Sequence, residues 1–563
     1  MRITRVHVEN YRSLKNFDLE PGPYCVLIGE NNAGKSNVLK ALNLILGETW
    51  PTERSFTEED FYNQDTSQDI IIQVYFDETQ DAWRNKCKCE VSGFELRCHA
   101  YLRKTGEKPA GSLKVDYCCI DKKGKQVTYP ETPLESGKKP SCAWLPFRVS
   151  RDLRDAIPFI YIDVLRDYAR QTPGSRWSIL RRLLNEVNTE FLNDKKKVKV
   201  KLPDGTTQEM TRREAFENTV SSAYAYLRTP TFQKIEERLA ANAVEHMGLD
   251  QGEGNVEIHF ESHDPTNAYK SLQLYVEQMG IQSAAGDVGA GLQSAIVVAI
   301  FRTYEEIKKE GAVIAIEEPE VFLHPQKARY FESVLRGIAE GGNQIILTTH
   351  SPIFVELHKP ESIAIIRRTA QKGTWAKQAA VTELTRTDRE ALRLLTEFDA
   401  ERKELFFAKG VLLVEGGTEK VAMPLAFQAL GTDINRMGIS IIDVGGKTKI
   451  PLFAQVMNAF EIPYVVLVDK DVRAIAAEWN EKRNVKEPER IRKHELWNSS
   501  IESECPADVV FWLNPDFESE LGLPREESEK IDRALDMFKG ISGEDVPNCL
   551  LRPIEKLTEL VTS

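Results

Sequence analysis

Two short apolar runs in the last third of the chain end in acids: VLLVEGGTEK at Val411–Lys420 and VVLVDKD at Val465–Asp471. Each reads as a buried strand of a parallel sheet, and parallel strands deliver the residues that follow them to one edge. Glu415 and Glu419 come from the first turn, Asp469 and Asp471 from the second. Four carboxylates gathered at strand ends repel one another unless cations neutralise them, and hard oxygen donors suit Mg2+ or Mn2+. Divalent-ion chemistry is the first expectation. An ordinary α/β unit with acidic loop ends is the alternative.

A second constellation lies near the N-terminus. CVLIG at Cys25–Gly29 reads as an apolar strand and runs straight into GENNAGKS at Gly29–Ser36, which fits G-x-x-x-x-G-K-[ST]. A helix follows, with Val38, Leu39, Leu42, Ile45 and Leu46 on one apolar face and Gly47 as its C-cap. Strand, glycine loop and helix make the context of a phosphate-binding P-loop. Gly29, Asn31, Asn32, Gly34 and Asn37 would form the ATP cradle. Lys35 would reach the β and γ phosphates, and Ser36 would ligate Mg2+.

Further along, DVGAGLQS at Asp287–Ser294 opens a helix, and Gly289, Gly291 and Gln293 make a second phosphate-binding device. AVIAI at Ala312–Ile316 ends in Glu317-Glu318-Pro319-Glu320, a Walker B pattern. Glu317, standing where Asp is usual, would hold Mg2+ through water, and Glu318 would orient the attacking water as general base. QIILT at Gln344–Thr348 leads to His350, placed to touch the γ-phosphate. The order of these parts resembles the ABC-type ATPase heads of SMC-like and recombination-mediator proteins. The resemblance implies ATP sandwiched between two heads, with the 289–293 loop on the other subunit's nucleotide, and hence a homodimer.

The elements that position these groups have room to form. The chain has 563 residues, enough for several domains of about 100–200 residues. At 41% hydrophobic and 28% charged it has an ordinary globular composition. No run of roughly 18 or more apolar residues occurs. The start, MRITRVHVENYRSL, is charged where a signal peptide needs an apolar core, so a cytoplasmic protein without a membrane partner is expected. The net charge of −12 does not exclude nucleic acid, because binding depends on local basic surface. Lys195, Lys196, Lys197, Lys199 and Lys201 form one basic run; Arg483, Lys486, Arg490, Arg492 and Lys493 form another. Each is either a solvated face or a backbone contact. Six of nine cysteines fall between Cys87 and Cys142, without paired C-x-x-C spacing. They read as reduced structural thiols, a zinc site being the alternative.

Residues 1–150 read as the first part of the ATPase, with strands at 70–77 and 95–120 as an antiparallel lobe and Gln73 as a candidate Mg2+ contact. Residues 151–254 read as a charged helical insertion suited to dimerisation, where Arg166 and Arg170 pair with acids or meet nucleotide. Residues 255–400 carry the second part of the ATPase. Residues 401–563 alternate βαβα, as a parallel α/β domain should. Within them Gly445-Gly446-Lys447 either touches a phosphate or is a plain turn, and FWLNPDFESEL from Phe511 supplies a further acid, Glu518.

The VEGGTE and DKD pair resembles a Toprim domain, the fold shared by topoisomerases, primases and some nucleases. An ABC-type ATPase followed by a Toprim domain resembles the OLD (overcoming lysogenization defect) family, with Gabija defence nucleases in the same group, over nearly the whole chain. The fold class implied is α/β: an N-terminal ABC/SMC-like P-loop ATPase with a helical insertion, then a C-terminal Toprim domain. The resemblance implies ATP, one Mg2+ at the ATPase site and two Mg2+ or Mn2+ at the Toprim site. Glu415, Glu419, Asp469, Asp471 and Glu518 would hold those ions. A lysine near the C-terminus, Lys556 or else Lys539, would stabilise transition-state charge. DNA nicking or cleavage in antiphage defence or DNA processing is implied, by a dimer or dimer of dimers, for some relatives beside a helicase-like partner. An SMC-like DNA clamp whose Toprim unit is inactive is the alternative. No tyrosine stands in a recognisable topoisomerase context.

Overall fold

The computed structural model describes residues 1–47, 49–77, 91–101, 112–128, 146–162, 179–201, 206–227, 229–247, 272, 274–278, 280–307, 311–321, 323–379, 385–396, 399–472, 487–523, 530–539, 541 and 543–562. They form two compact units, 1–165 with 309–563, and 166–308.

The first unit opens with a hairpin, β1 (Ile3–Tyr11) and β2 (Leu14–Leu19), whose inward side chains are buried. β3 (Tyr24–Ile28) is buried at every position, as a central parallel strand must be. The P-loop follows, then α1 (Lys35–Leu46), whose buried Val38, Leu39, Leu42, Ile45 and Leu46 are the face read from the sequence. β4 (Ile70–Phe76), β5 (Gly93–Tyr101) and β6 (Ser112–Ile120) complete an antiparallel sheet in the order β2-β1-β4-β5-β6. β7 (Phe159–Ile162), which falls in the stretch read as the helical insertion, is instead an edge strand of the ATPase core.

The chain then passes through the second unit. α2 (Ile179–Asn193) leads to a basic hairpin, β8 (Lys197–Lys201) and β9 (Thr207–Thr211). α3 (Arg212–Ala225) starts from a capping box in which Thr211 and Glu214 satisfy each other's backbone N–H. α4 (Pro230–Met247) follows, then the hairpin β10 (Tyr275–Gln278) and β11 (Ile281–Ala284), then α5 (Ala290–Ile307). The glycine loop at 289–291 thus belongs to this unit. Tyr226, Leu227, Ile235 and Ile281 are exposed on it.

Back in the first unit, β12 (Val313–Glu317), α6 (Pro325–Glu340), β13 (Gln344–Thr348), β14 (Ile363–Thr369) and β15 (Gly373–Gln378) complete the core sheet, ordered β15-β14-β3-β13-β12-β7. All its pairs are parallel except β14–β15. The C-terminal part has four parallel strands: β16 (Gly410–Val414), β17 (Ile439–Asp443), β18 (Tyr464–Asp469) and β19 (Val510–Leu513), ordered β17-β16-β18-β19. Its helices include α7 (Gly417–Ala429), α8 (Ile450–Ala459), α9 (Glu487–Glu504), α10 (Phe517–Leu521) and α11 (Asn548–Thr562). A core of Leu412, Val414, Phe427, Val465, Leu467, Leu513 and Phe517 fixes this sheet against its helices.

Candidate functional site

The ATPase site gathers at the C-terminal ends of β3, β12 and β13. Gly29 has φ +144, and a Cβ there would lie 2.1 Å from the Ile366 carbonyl oxygen, so only glycine lets the loop pass beside β14. Lys35 Nζ donates to the carbonyls of Gly29 (2.8 Å) and Glu30 (2.9 Å). Burial pushes its pKa down to about 8, although Glu318, Glu320 and Glu30 favour its charge. Asn31 and Asn32 are exposed on the loop, and Ser36 stands beside Lys35 at the start of α1. Asn37 differs from the expectation: its side-chain amide donates to Ser13 Oγ at 2.9 Å, which braces the loop against the first hairpin.

Glu317 closes β12 and is buried, accepting a 2.6 Å hydrogen bond from the Tyr161 hydroxyl on β7. Glu318 takes a left-handed backbone, φ 44, while its N–H bonds the Thr348 carbonyl at 2.9 Å. From this strained turn the Glu318 carboxylate lies 3.9 Å from His350 Nε2. Burial and then Lys35 hold His350 below the usual histidine pKa. Glu320 accepts the His350 backbone N–H at 2.7 Å and so fixes the histidine's loop. Lysine, acid and histidine therefore converge at one sheet edge. Tyr161 and Glu320 were missed from sequence. Only the fourth residue of EEPE hinted at the second.

In the other unit, Gln293 folds its amide back onto the carbonyls of Gly286 (2.8 Å) and Val288 (3.0 Å), shaping the loop that carries Gly289 ahead of α5; Gly291 lies in the helix's first turn. Arg166 and Arg170 lie outside the described residues.

At the Toprim-like sheet, Glu415 follows β16 and Glu419 sits in the first turn of α7, buried. Asp469 ends β18 and accepts the Phe517 N–H at 2.8 Å. The 469–471 loop is pinned to the segment after β19: Lys470 N–H bonds the Leu513 carbonyl and Asp471 N–H that of Pro515, each at 2.8 Å. That pinning brings the first turn of α10, with Glu518, beside the other acids. The charges interact. Burial, then Glu415 and Glu518, raise Glu419 to about 7. Burial, then Glu415, Glu419 and Asp471, raise Asp469 to about 9. Glu415 is raised by burial too, and its Oε2 is buried with no hydrogen-bond partner.

Asp471 is the exception among these acids. Lys447 Nζ lies 2.6 Å from its Oδ2, and His494 Nδ1 lies 3.3 Å from the same oxygen. Lys447, read from sequence as a phosphate contact or a plain turn, is thus a buried partner of the acid cluster. His494 was not singled out at all. Among the described residues no three His, Cys, Asp or Glu side chains already enclose an ion-sized position. The donors are nonetheless of the hard oxygen type that Mg2+ and Mn2+ take, and the buried, unpartnered Glu415 oxygen fits such an ion.

Lys556 does not join them. It pairs with Asp508 at 3.0 Å, ahead of the start of β19, whereas the acids follow the ends of these parallel strands. α11 crosses the sheet at the opposite edge, where Leu557 and Val561 meet Gly410. Lys539, the other candidate, is exposed and paired with Asp536. Gln73 is also engaged elsewhere: its amide donates to Glu95 (2.6 Å) and accepts from Tyr75 (2.7 Å) within the antiparallel sheet. Cys25, Cys98, Cys118, Cys119 and Cys505 are buried; Cys87, Cys89 and Cys142 lie outside the described residues. So do Arg483, Lys486 and the side chain of Arg490, while Arg492 and Lys493 are exposed on α9.

A P-loop sheet with a Walker B acid and an edge histidine, joined to a parallel sheet with acids at its strand ends, defines an ATPase combined with a Toprim unit. Comparison with known proteins bears this out. Residues 406–471 match the family described as overcoming lysogenization defect protein-like, TOPRIM domain, and residues 1–138 and 157–355 match the AAA ATPase domain. The chain is 32% identical to the OLD nuclease of Thermus scotoductus over 100% of its own length and 99% of the relative's. It is 24% identical to the Old nuclease of Escherichia phage P2 (84% of this chain, 77% of the relative). To the endonuclease GajA of Bacillus cereus it is 20% identical (84% of this chain, 76% of the relative). The chain belongs to the OLD family of ATPase-linked nucleases. Among the described residues no helix is long and apolar enough to cross a membrane.

Proposed function

We propose that the protein is an ATP-regulated, divalent-metal-dependent DNA endonuclease. The convergence of Glu415, Glu419, Asp469 and Glu518 at one sheet edge, with Asp471 alongside, carries this reading, because Glu419 and Asp469, raised by burial and then by their acidic neighbours, are poised to exchange protons for cations. Glu415, Glu419 and Asp469 would hold one Mg2+ or Mn2+, with Asp471 and Glu518 completing the donor set for a second. Bound ions supply a lowered-pKa water and charge stabilisation for the leaving oxygen of a phosphodiester. The chain's own contribution is to fix the acids through the 469–471 pinning. At the other site, Lys35, Ser36 and Glu317 would hold MgATP, Glu318 would act as general base, and His350 would contact the γ-phosphate.

The relatives' names as nucleases support a nucleic-acid substrate, which we take to be DNA, and antiphage defence or DNA processing is the context that the family resemblance implies. The exposed apolar residues of the second unit support pairing of two copies, and a helicase-like partner remains part of the proposal. The cytoplasm is the proposed location. An SMC-like DNA clamp with an inactive Toprim unit is the alternative reading. Incubating supercoiled plasmid with Mg2+ or Mn2+ decides between them. Nicking is expected, and Glu415→Ala should reduce it at least about a hundredfold. Intact plasmid under every metal and nucleotide condition would leave the clamp.

A further inference from the structure

β17 and β18 are not neighbours, since β16 lies between them. With strands about 4.8 Å apart, the turn after β17 must pass over the end of β16 to reach the β18 loop. It does so through a built path. Val444 N–H bonds the Val414 carbonyl (3.1 Å) and Gly446 N–H bonds that of Glu415 (2.9 Å). Gly445 (φ 76) and Gly446 (φ 112) supply the left-handed turn, which a side chain would resist. The result is a lysine side chain only 3% exposed, with its ammonium 2.6 Å from Asp471. A buried ammonium is costly unless paired, so this placement is a specific feature of the sheet edge and not the default for a lysine.

Resting on the nuclease reading above, we propose that Lys447 competes with a divalent ion for Asp471. One ion then binds tightly at Glu415, Glu419 and Asp469, and a second enters only by displacing the ammonium. The turn that carries Lys447 is bonded to the Val414 and Glu415 carbonyls, so a displaced ammonium stays within its side chain's reach of the edge. The partner that the nuclease reading brings there for a displaced ammonium is a phosphate. Metal loading is therefore ordered, and the second step is the weak one.

Mn2+ titration of the full-length protein without nucleotide, followed by electron paramagnetic resonance and calorimetry, tests this. One tight and one weak site per chain are expected. Lys447→Met should tighten the weak site by about tenfold or more and leave the tight one within about threefold, because a buried competing charge is gone. Lys447→Arg should keep it weak, and Asp471→Asn should abolish it alone. An unchanged weak site in Lys447→Met, or a weak site that survives Asp471→Asn, overturns the proposal. If Lys447→Met does not fold, Lys447→Gln serves in its place and Asp471→Asn still decides. A tight site indifferent to Glu419→Gln would instead sink the nuclease reading itself.

Discussion

Glu419 and Asp469 are carboxyls that the fold prefers protonated, at about 7 and about 9, with burial the first cause for each. An acid raised in the native state contributes stability that is fully present below its unfolded pKa, near 4. That stability is lost as pH rises through the native value. Protein kept in chelator should therefore lose melting temperature from about pH 4 up to about pH 9, most steeply below about pH 7 where both groups contribute. Saturating Mn2+ should flatten that slope, because the ion takes the place of the proton. Melting curves across this range, with and without Mn2+, check the point; parallel profiles would refute it. Most of these acids were legible from the sequence, since an apolar run names its own end. Lys447 was visible as GGK but not as a partner of Asp471, because contact across β16 depends on the strand order. Lys556 was misplaced for the converse reason. Its helical position is readable, but which end of the sheet the helix covers is decided by the packing of Leu557 and Val561 on Gly410.

Among the elements, the strand–loop–helix around the P-loop was the most legible, for its glycines are dictated by backbone crowding. A Cβ on Gly34, φ +109, would fall 2.4 Å from Thr374 Oγ1 and 2.6 Å from Ser13 Oγ. Thr374 is fully buried and hydrogen-bonded to the Ala33 carbonyl at 2.7 Å, so it has nowhere to retreat. Gly34→Ala should weaken ATP binding by about tenfold or more through displacement of the loop, measured by equilibrium binding of a fluorescent ATP analogue; wild-type affinity would show that the loop can shift at no cost. β7 was illegible by contrast. FIYI is four residues in a charged stretch, and it becomes a core strand only because β12 offers an edge. The same pairing brings Tyr161 to Glu317, a contact no local pattern encodes.

Taken as one molecule, the two catalytic sheets of the first unit are joined at the P-loop. Lys409, just ahead of β16, pairs with Glu30 of the loop at 3.1 Å, and Arg368 makes a long 3.5 Å contact with the Asn32 carbonyl. Arg367, its neighbour on β14, turns the other way and donates to the Glu461 carbonyl at 3.1 Å, at the end of α8, where Lys377 also pairs with Glu461. These ion pairs are largely exposed and contribute little to stability, so removing them should spare the fold. Arg367→Ala with Lys409→Ala should leave ATP binding and basal nicking within about twofold, yet shrink any effect of ATP on nicking several-fold. Plasmid assays over an ATP series would measure it, and an undiminished response would refute the link. β3 also has a bearing on how the chain is made. It completes its sheet only with β13 and β14, and the Ile3 N–H finds its partner in the side chain of Gln344, 341 residues later. On a ribosome adding about 5–20 residues per second, the first strands wait on the order of tens of seconds for their neighbours. During that interval the nascent chain would display an uncovered apolar edge, and its yield in cells should depend on whatever shields it until synthesis catches up.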